Sequence, residues 1–176
     1  MSDRDDFEAR VFPHLDAAYN LARWLLRDER AAEDAVQESA LRAFRYLASL
    51  QGNDAKPWLL GIVRNTCFTA LERLRKTPEV AGYDEDELDY LQDPDEGGHS
   101  DPVDLLQQAR DRIDIDAAIR ALSPALRDVI VLRELEELDY AEIAQIASVP
   151  IGTVMSRLSR GRSKLRDALR RAGVDK

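Results

Sequence analysis

Near its C-terminal end the chain reads "PIGTVMSRLSRGRSKLR" over residues 150–166, with five cations, no anion and a run of short hydroxyls. At helical spacing, Thr153, Ser156, Arg157, Arg160 and Lys164 fall on one side and Val154, Leu158 and Leu165 on the other. Such residue types can read and hold a polyanion. Thr153 and Ser156 are small enough to let a helix approach base edges, and Arg160 is long enough for a bidentate contact to guanine. Arg157, Arg162, Lys164 and Arg166 can take phosphates, which add affinity but little sequence information.

Residues upstream supply the frame for that ladder. Asp139 is a good N-cap, and Glu142 three residues on completes something close to a capping box. Ile143, Ala144 and Ile146 follow at helical spacing, with Ala144 small where a second helix must cross closely. "SVP" at 148–150 makes the turn, and the polar-basic helix begins near Pro150 and Ile151. A short helix, a tight turn and a longer basic helix make a helix-turn-helix, whose second helix enters the major groove. Before it, Ser123-Pro124 opens another helix with Leu126, Val129, Ile130 and Leu132 as its packing face.

The first half of the chain holds two further polar constellations. "EDAVQE" sets Asp34, Gln37 and Glu38 at i, i+3 and i+4, so that their heads share one helix face suited to a basic partner surface or simply to solvent. The stretch "WLLGIVRNTCFTALERLRK" carries Trp58 at its start and Asn65 two turns on. These could stack on and hydrogen-bond to an unpaired base while Arg64 and its neighbours hold phosphates. Three helices must place them. One runs from about Asp5 to Arg27, broken or kinked at Pro13, with Leu15, Ala18, Tyr19, Ala22, Leu25 and Leu26 as its stripe. A second follows the N-cap Asp28 and groups Ala32, Ala35, Val36, Leu41, Phe44 and Leu47. A third starts near Pro57.

Composition organises these pieces. The chain has 176 residues, 44% hydrophobic, and a formal net charge of −9. Eleven of its carboxylates lie between Thr77 and Asp104, a stretch without Lys or Arg, and the flanks then hold 25 basic against 23 acidic residues. Pro78, Gly82, Pro94, Gly97, Gly98 and Pro102 punctuate that stretch. It reads as an acidic flexible linker over 77–104, either a solvated tether or a segment that lies in a partner's basic groove, between helical domains at 1–76 and 105–176. The fold class is all-α: a three-to-four-helix bundle and a helix-turn-helix domain. Cys67 is alone, His14 and His99 are isolated, and no metal-ligand, nucleophile–base or phosphate-loop pattern occurs, which argues against an enzyme and gives no cofactor or metal. No apolar run approaches a membrane span and the N-terminus is polar and acidic, so a cytoplasmic protein is expected.

Together, "AEDAVQESALRAF", "WLLGIVRNTCFTALERLRK" and "DYAEIAQIASVPIGTVMSRLSRGRSKLR" resemble, in that order, a bacterial RNA polymerase sigma factor of the extracytoplasmic-function (ECF) group. The resemblance covers nearly the whole chain apart from the linker. It implies that Asp34, Gln37, Glu38 and nearby Leu41 bind the largest subunit of core RNA polymerase. It implies that the loop 51–56, with Asn53 and Lys56, and then Trp58, Arg64, Asn65, Thr66 and Thr69 open and hold the −10 promoter element. The −35 duplex falls to Arg133, Thr153, Ser156, Arg157, Arg160 and Lys164, and an anti-sigma factor is a typical partner. Ala40 stands where the family usually has an aromatic, and Met155 where Lys or Arg is common. Two alternatives stay open: a conventional helix-turn-helix repressor or activator, and a sigma mimic that binds an anti-sigma factor.

Overall fold

A computed structural model describes residues 2–76 and 105–173, and within these every regular element is helical. Helix α1 (Asp3–Val11) is opened by a capping box between Ser2 and Asp5. Pro13, which cannot donate to a helical ladder, sits in a 3-10 turn (Phe12–His14) that separates α1 from α2 (Leu15–Leu26). Arg27 takes the left-handed conformation that ends α2 (φ 59°), and Asp28 then caps α3 (Glu29–Arg45) by accepting from the Ala31 amide at 2.7 Å. Helix α4 (Ala55–Arg75) is capped by Asp54, with Pro57 inside the first turn, where no helical N–H is needed.

The second part comprises α5 (Leu105–Arg120), α6 (Pro124–Ile130), α7 (Tyr140–Ala147) and α8 (Ile151–Ala172). Ser123 occupies the N-cap of α6 but its side chain makes no capping hydrogen bond. After Ile130 the chain widens into a π-turn (Val131–Leu135), closed by the Glu136 amide on the Val131 carbonyl at 3.1 Å. Asp139 and Glu142 form the expected capping box of α7. Val154 and Leu158 are buried under α8, and at Gly161 that helix crosses α6 so closely that an added Cβ would lie 2.8 Å from Ile130 Cγ1. The two parts do not stand apart: buried residues from α1–α4 and from α5–α8 form one hydrophobic cluster, with α2 against α6 and α4 against α7.

Candidate nucleic-acid interface

Helix α8 presents much of the expected ladder. Ser156, Arg160 and Lys164 are exposed and Thr153 is half-buried, with the Ser156 hydroxyl donating to the Thr153 carbonyl at 3.1 Å. Arg160 forms no ion pair among the described residues. The turn before α8 is fixed by Ser148 in the left-handed region (φ 54°) and by the Val149 amide on the Ala144 carbonyl at 3.1 Å. Arg162 is committed elsewhere, 2.7 Å from Glu134, and Arg157 is half-buried. Arg133 donates to the Leu138 carbonyl at 2.8 Å and lies 5.1 Å over the Tyr140 ring, so it braces the turn before α7.

On α3, Asp34, Gln37, Glu38 and Leu41 are all exposed on one face, with Glu38 paired to Arg42 one turn on. Leu41 and Phe44 were expected on the packing side; they are 68% and 47% exposed. The buried stripe is made of Ala32, Ala35, Ser39 and Ala43, small residues that bring the backbone of α3 close to its neighbours and leave the bulky apolar side chains outside. Phe44 still meets Phe7 edge-on at 5.3 Å.

The predicted −10 set divides on α4. Asn53, Asn65 and Thr69 are exposed, and Arg10 fixes the loop before α4 by donating to the Gly52 carbonyl at 2.6 Å. Trp58 is half-buried and packs on the core. Three members of the set are held by other parts of the chain. Thr66 is buried: its hydroxyl donates to the Ile62 carbonyl at 3.0 Å and lies 3.1 Å from the Ser39 hydroxyl, which ties α3 to α4. Arg64 donates to Asp128 at 2.7 Å, and Lys56 lies 3.3 Å from the Glu136 carboxylate and donates to the Glu136 carbonyl at 3.0 Å. Both cations therefore face the second domain.

Sequence reasoning missed the residues on the other side of that seam. Arg127, Asp128 and Glu136 are buried polar side chains. A signal did exist: Arg127 and Asp128 interrupt the apolar run from Leu126 to Leu132, where a charged pair has no solvated face to occupy. Burial, with Arg27 and Arg120 nearby, holds Arg127 down to about 10, still charged at neutral pH. Burial pushes Asp128 up, against the pull of Arg64 and of Arg157. Among the described residues no group of His, Cys, Asp and Glu gathers as a metal site, and no helix is long and apolar enough to cross a membrane.

This geometry has counterparts in known proteins. Sigma-70 region 2 matches residues 12–77, and sigma-70 region 4 matches residues 112–165. The ECF RNA polymerase sigma factor SigW of Bacillus subtilis is 34% identical, over 96% of this chain and 91% of its own. The chain belongs to the ECF group of sigma-70 factors. These are promoter-directing factors of transcription initiation, and other relatives agree. The ECF sigma-E factor of Haemophilus influenzae is 35% identical, over 85% of this chain and 79% of its own. SigE of Mycolicibacterium smegmatis is 35% identical over 90% of this sigma factor, which spans only 60% of that relative's length. Among solved structures, the sigma factor RpoE in complex with the anti-sigma factor NepR from Bartonella quintana superposes with a TM-score of 0.71. It is 25% identical and covers 97% of this chain and 99% of that one.

Proposed function

We propose that this sigma factor binds core RNA polymerase and directs it to promoters, with residues 1–76 engaging polymerase and the −10 element and residues 105–176 reading the −35 duplex. What supports this most is one chain carrying both an exposed Asp34–Gln37–Glu38–Leu41 face on α3 and an exposed helix-turn-helix ladder on α8. Neither alone needs the other; a factor that couples polymerase to duplex DNA needs both. Thr153, Ser156 and Arg160 take base edges and Lys164 takes phosphate. Asn53, Asn65 and Thr69, beside Trp58, take the melted strand, where capture of an unstacked base offsets a cost of a few kcal/mol.

The protein makes and breaks no covalent bond in this account: polymerase supplies the chemistry, inside the cell. The acidic segment 77–104 lies outside the described residues and is assigned only the role of a linker. Because RpoE was solved in complex with the anti-sigma factor NepR, an anti-sigma partner is proposed here as well. Permanganate footprinting of polymerase plus this protein on a responsive promoter tests the reading. Reactive thymines confined to the −10 region and protection at −35 are expected. Duplex protection by the protein alone, without melting, would instead indicate a conventional repressor or activator.

A further inference from the structure

The strip that α8 turns to solvent is not the one its charge pattern alone picks out. Val154, Leu158 and Gly161 are buried beneath the helix. With 3.6 residues per turn, the solvent side then runs through Ile151, Gly152, Met155, Ser156, Ser159 and Arg160, all of them exposed, while Thr153 and Arg157 lie on a half-buried shoulder. Two members of this strip are large and apolar: Ile151 is 47% and Met155 53% exposed. They stand one turn apart, at i and i+4, so their side chains share a patch. Gly152 lies beside them in the helix, and a Cβ there would meet nothing within 4 Å. Neither packing nor backbone conformation calls for glycine at that place, and glycine is a poor helix former. What its missing side chain provides is room for something outside the chain. No carboxylate occurs on α8 before Asp167, and Arg160 closes the strip with a cation.

We infer that Met155, flanked by Ile151, reads thymine: the two side chains take C5-methyl groups in the major groove of the −35 duplex, beside the base edges taken by Ser156 and Arg160. The inference rests on the −35 reading of α8 proposed above and adds to it which base the apolar part of the helix selects. Among the four bases only thymine presents a methyl in that groove, and apolar contact is what recognises it. The Met155 side chain is unbranched and polarizable, which suits it to a methyl-bearing base edge. It has no donor, so it can neither pair with a phosphate nor bond guanine as an arginine does. Gly152 lets the first turn of α8 come close enough for direct contact. Charge decides against a protein as the cover of this patch: a duplex neutralises Arg160 at its border, whereas an apolar protein surface would desolvate that charge without a partner.

The test uses holoenzyme reconstituted from the full chain and bacterial core RNA polymerase, on a promoter identified by its run-off start site. Each −35 thymine, on either strand, is replaced in turn by deoxyuridine, which removes the C5-methyl and nothing else, and equilibrium binding is measured. One or two positions are expected to lose roughly three- to fivefold in affinity, the worth of one buried methyl. The Ile151→Ala/Met155→Ala double variant should be indifferent to the replacement at those same positions. Binding by Met155→Arg should fall more steeply with salt, by about one unit of log–log slope. All these changes are at exposed side chains, so circular dichroism should match that of the unaltered chain. Deoxyuridine without effect at every position overturns the inference and leaves the promoter reading standing. Undiminished deoxyuridine sensitivity in the double variant also overturns it, by giving the methyl to another residue. Loss of polymerase co-elution in the double variant, with the methyl silent, would make the patch a protein contact. Absence of discrete start sites would overturn the promoter reading and this inference together.

Discussion

Arg64 Nε lies 2.7 Å from Asp128 Oδ2, and the carboxylate it reaches is wholly buried. The pair joins α4 of the first domain to α6 of the second, and it explains why a cation that the sequence offers to DNA is found turned inward. Leaving one member of such a pair without the other typically costs about 3–5 kcal/mol.

The pH dependence follows from burial at Asp128. Its carboxyl is raised above the ordinary 3.8, mainly by burial, with Arg64 and Arg157 pulling the other way and Cys67 close by. Between the ordinary and the raised value the folded chain keeps a proton that the unfolded chain has lost. Stability contributed by this group therefore falls as pH rises through that window, and the fall is complete above it. Urea midpoints of the unaltered chain, measured against Asp128→Asn across the acid range, should decline with rising pH relative to the variant. A rising difference would contradict the assignment.

Cys67 is fully buried, and burial first, then the charge of Asp128, pushes its thiol up to about 12. At pH 8 a thiol reagent should label native protein very slowly and unfolded protein at once, because the thiolate is the reactive form. Prompt labelling of the native chain would place the thiol outside the core.

Thr66→Val should cost about 0.5–1.5 kcal/mol by thermal unfolding, since it removes the hydroxyl that bonds the Ile62 carbonyl and Ser39, while Ser39 keeps its bond to the Ala35 carbonyl. Promoter affinity of the folded variant should be unchanged. A loss of affinity beyond that of stability would return Thr66 to the DNA-contacting set.

Leu41→Ala and Arg160→Ala should separate the two interfaces. Leu41 is exposed, so its removal should change stability by less than about 0.5 kcal/mol while weakening polymerase binding. Arg160→Ala should leave polymerase binding intact and reduce −35 discrimination by about 1–3 kcal/mol. Titrations of core polymerase and of duplex DNA with each variant check this directly.

Local signals were legible because their causes are local. Asp28 before α3 and the Asp139–Glu142 box before α7 read as caps and are caps. Pro13 reads as a break and is one. The short-turn-long pattern ending in α8 reads as a helix-turn-helix and folds as one. What misled were choices that depend on distant partners. Helical spacing put Leu41 and Phe44 on the packing face, but small Ala and Ser residues fill that contact because α2 and α4 approach closely. Arg64 and Lys56 look like free cations until Asp128 and Glu136, far along the chain, are folded against them. Arg133 looked equally available, yet a carbonyl five residues on holds it.

The most direct measurement mixes the purified protein with bacterial core RNA polymerase, follows the mixture on a sizing column, and assays run-off transcription from fragmented host DNA. Co-elution with new transcripts that begin at discrete start sites is the predicted result. Failure to co-elute, together with tight duplex binding by the protein alone, would contradict the account and with it the role given to Asp34, Gln37 and Glu38.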